Sequence, residues 1–324
     1  MKALVIGGAG FIGRAICKDL LNNGHEVIVG DVKGVSNFNL YENDDRAQAQ
    51  YRYSKIECDI TDTGRLNFVF KYERPDVIFL VAAVSDVNIV KEKPLLAGQI
   101  NVQGVQNVLE CAKNAGIKNI VYSSTTWVYG NQNGMINEKS KVPAPNNLYT
   151  ATKIMGEQYC MAYVEQFGMH CVVLRYGIPY GEYARESTVI PAFVKKALNG
   201  EPLTIAGEGN QFRKFVDVRD LARAHTRCMK LFSDLSTDPN ILKWEIINID
   251  GQEVITIRKL ANEIQKYIPN TNIVYTPARP NDFLGAHVNS DKAREILGWT
   301  PEISFEQGMF DYIVWVRKTW AKEN

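Results

Sequence analysis

The amino-acid sequence predicts an α/β protein in which a doubly wound parallel sheet is followed by a smaller C-terminal α/β lobe. Short apolar runs recur at residues 4–6, 26–30, 51–58, 76–83, 119–126 and 171–175, and helical patterns separate most of them, the alternation that builds parallel sheets. A glycine-rich turn links the first run to the first helix. From Gly177 the alternation gives way to loops and shorter elements. Residues 1–176 therefore read as one domain and 177–324 mainly as a second, with about 215–232 returning to the first.

The first domain is organised around its N-terminus. Leu4, Val5 and Ile6 suit a central strand buried on both faces, which ends at Gly7. Gly7, Gly8 and Gly10 allow a tight turn and close approach to an anion, and Gly13 lets the next helix pack against the strand. Phe11 and Ile12 lead into that helix, whose free N–H groups and positive dipole end face a pyrophosphate. The second strand ends in Asp31, eighteen residues beyond Gly13, near the separation at which dinucleotide-binding units place a carboxylate on the adenosine ribose. A carboxylate there repels a 2′-phosphate, so the cofactor expected is NAD. Strand, glycine loop, helix, strand and acid in this order make a Rossmann-type unit, which a lone glycine pattern would not.

Later elements add to the same crevice. Asp59, followed by Ile60, either accepts from an adenine amino group or caps the helix that begins near Asp62. The fourth strand ends in Val81, Ala82 and Ala83, whose small alanines let it approach the dinucleotide. A long helical pattern over 95–115 carries Asn101, placed to bridge strand ends. Ser123, Ser124, Thr125 and Thr126 close the fifth strand at its carboxyl end, where open α/β sheets bind ligands. In the smaller lobe, 189–199, 257–267 and 305–320 read as helices and 201–206, 244–249 and 272–275 as strands.

Composition narrows the function classes. With 324 residues and 45% apolar content the chain can bury a large core. Its 37 basic and 36 acidic residues leave a net charge of +1 and no basic stripe, so neither nucleic acid nor an anionic membrane is an expected partner. Cys17, Cys58, Cys111, Cys160, Cys171 and Cys228 are scattered without metal-ligand spacing and read as buried thiols of a cytoplasmic protein, with no metal site.

Tyr149 and Lys153 stand four apart at the start of a helix, so their side chains share a face. A phenol normally loses its proton near pH ~10, and a neighbouring ammonium favours the phenolate, so the tyrosine can take a proton from a substrate alcohol. Thr125 is placed to hydrogen-bond the same oxygen.

With these residues the sequence resembles the extended short-chain dehydrogenase/reductase family, in particular its nucleotide-sugar 4-epimerases of the UDP-galactose epimerase type. The likeness spans nearly the whole chain and rests on Gly7, Gly10, Gly13, Asp31, Asp59, Ile60, Ala82, Ala83, Asn101, residues 123–130, Tyr149, Lys153, Arg175 and Tyr176. It implies Tyr149 as base, Lys153 also on the nicotinamide ribose, Thr125 and Thr126 on the sugar, and Tyr176 near the nicotinamide. It further implies that Arg213 and Arg279 hold the diphosphate, for which paired guanidinium forks are suited; an ion pair of either with Asp217 or Asp282 is the alternative. Arg185, in the loop after the domain change, is a weaker candidate.

Departures from the epimerase pattern shape the reading. Ile178 stands where many relatives carry an Asn, Gly177 where an aromatic is usual, and Leu80 and Ser85 where a His and a Lys lie near the cofactor. In related 4,6-dehydratases an Asp-Glu pair follows the strand-end Thr and eliminates water. Here Thr126 and Trp127 follow it, and Trp cannot act as an acid. Ala286 falls near a position where bulk excludes N-acetylated sugars, so room for a 2-acetamido group is expected. The reading is an NAD-dependent epimerase acting at C4 of a nucleoside-diphosphate sugar, UDP-linked. It is expected to form a homodimer through the helices at 95–115 and 149–167. The alternatives are a net oxidoreductase or dehydratase on a nucleotide sugar, or a non-catalytic dinucleotide-binding scaffold.

Overall fold

The computed structural model describes residues 1–32, 34–41, 53–132, 134–235, 243–278 and 285–323. In chain order it begins with β1 (Lys2–Ile6), α1 (Phe11–Asn22), β2 (Glu26–Asp31), β3 (Tyr53–Glu57), α2 (Thr63–Glu73) and β4 (Val77–Leu80). Next come α3 (Val87–Glu92), α4 (Pro94–Gly98), α5 (Gly104–Asn114), β5 (Asn119–Thr125), β6 (Met135–Ile136), α6 (Leu148–Phe167) and β7 (His170–Tyr176). The chain continues through β8 (Ile178–Tyr180), α7 (Val189–Leu198), β9 (Leu203–Ala206), β10 (Phe212–Asp217), α8 (Val218–Leu235) and β11 (Trp244–Ile249). It closes with β12 (Val254–Thr256), α9 (Ile257–Tyr267), β13 (Ile273–Thr276), β14 (His287–Val288), α10 (Asp291–Leu297) and α11 (Phe305–Glu323).

Seven strands form one parallel sheet in the order β11-β7-β5-β4-β1-β2-β3. Winding reverses between β1 and β4, which opens a crevice at their carboxyl ends. The period of two along β1 divides its side chains between two cores. Ala3 and Val5 pack with α1, α8 and α10, while Leu4 and Ile6 pack with α2, α5 and α6. A third core lies in the smaller lobe among α7, α9, α11 and the short sheets.

Two sequence assignments change. Residues 244–249, read as part of the smaller lobe, are β11 at the edge of the main sheet, in register with β7 from Trp244 opposite Cys171 to Ile249 opposite Tyr176. An apolar run fixes strand character but not the sheet it joins, because that pairing spans some seventy residues. Of the stretch about 215–232, β10 pairs with β8 and β12 in a three-stranded sheet of its own, while α8 packs on α1. The long helical pattern is also interrupted: a π-helical turn, Gln99–Gln103, joins α4 to α5 and carries Asn101. All six cysteines are buried free thiols, and no helix among the described residues is long and apolar enough to cross a membrane.

Candidate active site

A cavity of about 890 Å³ opens at the carboxyl ends of the main strands. The glycine loop forms its floor. Gly7 has φ +88°, and a Cβ there would lie 2.6 Å from the Ala82 nitrogen; a Cβ on Gly13 would lie 2.1 Å from the Gly7 carbonyl oxygen. Only glycine allows this close packing. Gly10 caps α1 without any side-chain hydrogen bond, so the first-turn N–H groups stay available to an anion. Asp31 is pinned at the end of β2, its Oδ2 accepting from the Ala9 N–H at 2.9 Å and its Oδ1 from the Val32 N–H at 2.9 Å. Uncapped donors beside a fixed carboxylate fit a dinucleotide. Asp59 also faces the cavity, but Asp62 is the residue that caps α2, accepting from the Arg65 N–H at 2.9 Å. Asp59 instead holds Thr61 through its N–H and hydroxyl, both at 2.8 Å.

Buried side chains fix the far wall. Asn101 accepts from the Val84 N–H at 2.7 Å and donates to the Val84 carbonyl at 2.9 Å and Thr152 Oγ1 at 3.1 Å, tying the loop after β4 to α6. His225 Nδ1 lies 2.9 Å from the Leu221 carbonyl, which can only accept, so that nitrogen carries the proton and Nε2 accepts from the Tyr176 hydroxyl at 2.5 Å. Burial pushes His225 down to about 4, which keeps it neutral. The Tyr176 and Ser123 hydroxyls are 2.6 Å apart.

Tyr149, Lys153 and Thr125 all line this cavity. Lys153 is buried and donates from Nζ to the Ser123 carbonyl at 2.8 Å. Its Nζ is 6.0 Å from the Tyr149 ring centroid, and burial pushes the ammonium down to about 8. Burial likewise pushes the half-buried Tyr149 phenol up to about 12, and the Arg185 guanidinium opposes this. The Lys153 ammonium is desolvated and gives one of its three N–H donors to the Ser123 carbonyl. Arg185 also pairs with Asp86 at 3.4 Å and donates to the Ser85 carbonyl at 3.4 Å, joining the loop after β8 to the loop after β4. Trp127 meets the Tyr149 ring edge-on at 6.4 Å. Thr125 Oγ1 accepts from the Trp127 N–H at 3.2 Å.

Of the residues singled out from sequence, the cavity wall takes in Gly7, Gly10, Phe11, Ile12, Gly13, Asp31, Asp59, Ile60, Val81, Ala82, Ala83, Ser123, Thr125, Tyr149, Lys153 and Tyr176. Asn101 braces that wall from behind. Thr126, Arg213 and Ala286 are not part of it. Arg213 lies on β10 and donates to the Phe212 carbonyl at 2.7 Å, whereas Asp217 pairs with Arg219 at 2.9 Å. Ala286 packs on Val128, Tyr129, Ile136 and Val288. Arg279 and Asp282 lie outside the described residues. At Gly177, where an aromatic is usual, a Cβ would fall 1.9 Å from Asp250 Oδ1, so a carboxylate fills that space. The reading from sequence passes over Asp250, Glu157 and the reach of Arg185 to Tyr149; for Glu157 the available signal was its place one helical turn beyond Lys153.

The family model of the NAD dependent epimerase/dehydratase family matches residues 3–241. The chain belongs to that family. A UDP-glucuronate 4-epimerase of Thermodesulfobacterium geofontis is 30% identical, over 99% of this chain and 96% of that protein. The crystal structure of a Thermotoga maritima UDP-glucose 4-epimerase with UDP-glucose superposes with a TM-score of 0.85 at 29% identity, covering 99% of this chain and 100% of that one. A dTDP-glucose 4,6-dehydratase of Streptomyces venezuelae, solved with NAD bound, also has a TM-score of 0.85, at 28% identity and covering 99% and 98% of the two chains. Membership makes the protein an NAD-dependent enzyme of nucleotide sugars. Epimerases and dehydratases share the fold, so the reaction must be argued from the site.

Proposed function

We propose that this enzyme is an epimerase acting at C4 of a nucleoside-diphosphate sugar, UDP-linked, through a transient 4-keto sugar. The observation that carries the reading is the make-up of the β5 terminus. Thr125 faces the cavity beside Tyr149 and Lys153, and the next two residues, Thr126 and Trp127, offer no acid or base to eliminate water. When bound, NAD supplies a reversible hydride acceptor. Tyr149 takes the proton from the sugar O4 and later returns it, while Thr125 holds that oxygen in line. Lys153 orients the cofactor ribose and supplies positive charge. Arg279 is assigned to the diphosphate; Arg213, outside the cavity wall on β10, joins it as the second cation only by leaving the Phe212 carbonyl.

The UDP-sugar named for the Thermotoga structure supports the nucleotide assignment. The reading includes a homodimer, because Ile89, Leu95, Leu96, Met155 and Met161 leave apolar surface exposed on α3, α4 and α6. Light scattering at micromolar concentration should give twice the 36.5 kDa chain mass.

The test is incubation with UDP-, dTDP-, GDP- and CDP-sugars, followed by NMR of the sugar protons. New C4 epimers are expected without stoichiometric consumption of NADH. A 6-deoxy-4-keto product would establish the dehydratase instead, and net oxidation of the sugar would establish an oxidoreductase.

A further inference from the structure

Beneath the cavity wall lies a charged cluster with no surface exposure to explain it. Glu157, on α6, is only 3% exposed, as is Arg175 on β7. Arg175 donates from Nε to Glu157 Oε1 at 2.9 Å and from Nη2 to Oε2 at 2.5 Å, a two-pronged pair. Ser124 Oγ donates to Glu157 Oε1 at 2.5 Å, and the Arg175 guanidinium stacks 4.9 Å from the Tyr129 ring. Glu157 follows Lys153 by four residues in one helix, so carboxylate and ammonium share a face.

A buried ion pair of this kind is a weak source of stability, because desolvation offsets most of the attraction. Its position is more informative. Around Lys153 Nζ stand the Ser123 carbonyl at 2.8 Å and the rings of Tyr122 and Tyr149, with centroids 5.1 and 6.0 Å away, and Cys160 lies further along its own helix. Among the described residues Glu157 is the carboxylate that acts on it. Glu157 thus answers two buried cations, Arg175 paired with it directly and Lys153 one helical turn away on the same face.

We propose that Glu157 is a positioning residue of the reaction: it keeps Lys153 charged within a desolvated wall and, through Ser124, fixes the strand end that carries Thr125. Opposing effects on Lys153 support this. Burial drives the ammonium toward neutrality, and Glu157 is the largest influence in the other direction. The inference borrows the Tyr149 and Lys153 roles of the proposed epimerase, but its first readout needs no sugar turnover, so the two can fail separately.

The test measures the pH dependence of Lys153 acetylation by dilute acetic anhydride, followed by peptide mass spectrometry of the full chain. The wild-type midpoint is expected near 8. Glu157→Gln, which keeps the shape and a hydrogen-bond acceptor, should lower it by about one unit. Glu157→Asp should restore most of that loss. At pH 7.5 such a shift removes about two-thirds of the charged Lys153, so kcat should fall about threefold with the sugar KM little changed and the alkaline limb of kcat moved down by about one unit. The double variant Glu157→Gln with Arg175→Met removes the ion pair as a unit, so Lys153 loses its anion without an uncompensated Arg175 beside it, and its midpoint should also fall below wild type. An unchanged midpoint in Glu157→Gln, or equal shifts in Gln and Asp, overturns the proposal; if Glu157→Gln does not fold, an unchanged midpoint in the double variant does so.

Discussion

Replacing Gly13 by alanine tests the phosphate cradle directly. The new Cβ would lie 2.1 Å from the Gly7 carbonyl oxygen and 2.7 Å from the Gly8 Cα. Ordinary contact needs roughly 3.3 Å, so α1 must retreat from the loop by about 1 Å. Neither neighbour can swing aside, because Gly7 and Gly8 both donate to the Gly30 carbonyl, at 2.8 and 3.0 Å. Overpacking against backbone costs about 1–3 kcal/mol. The same retreat misplaces the uncapped donors of α1, and a loss of about 1.4 kcal/mol there is tenfold in affinity. Gly98→Ala is the matched control: it lies in α4 with no atom within 4 Å of its Cβ, and should stabilise the helix by about 0.5–1 kcal/mol. Thermal melts and calorimetric titration with NAD measure both effects. Unchanged NAD affinity in Gly13→Ala, with a melting temperature matching that of Gly98→Ala, would refute the close-packing account.

Tyr149→Phe should lower kcat by about a thousandfold while NAD affinity, measured by the same titration, stays within twofold of wild type, roughly the scale of a lost general base. Arg185→Gln removes the cation that opposes the upward shift of Tyr149. The limb of the rate profile that needs the phenolate should therefore move up, with turnover falling at neutral pH and a stopped assay across pH 6–10 as the check. Asp250 gives a stability effect of known sign. Burial pushes it up to about 7, against about 3.9 unfolded, so between these values the native state holds a proton the unfolded chain has released. Stability is greatest below about pH 4 and declines by up to about 4 kcal/mol as pH rises to about 7, then stays level. Asp250→Asn should melt higher than wild type at pH 8 and close to it at pH 4; a difference that does not grow with pH would dispose of the buried carboxylate as its cause.

What could be read directly was whatever a short stretch of chain encodes by itself. The glycine loop, the acid after β2 and the one-turn spacing of Tyr149 and Lys153 are local geometry, and local geometry follows from φ freedom and helical period alone. The alternation of apolar runs likewise carried the parallel sheet, since strands buried on both faces have a recognisable composition. What remained undecided in sequence involved partners 51 to 73 residues apart. That β11 joins β7, that a carboxylate from its end occupies the space beside Gly177, and that Asn101 braces α6 depend on which surfaces meet. Charge assignments depended on tertiary structure most of all. Spacing alone put Lys153 beside the Tyr149 phenol, and burial of both groups, the Ser123 carbonyl, the Arg185 guanidinium and the anion at Glu157 add to that pair, because the field at a buried group is fixed by its neighbours in space rather than along the chain.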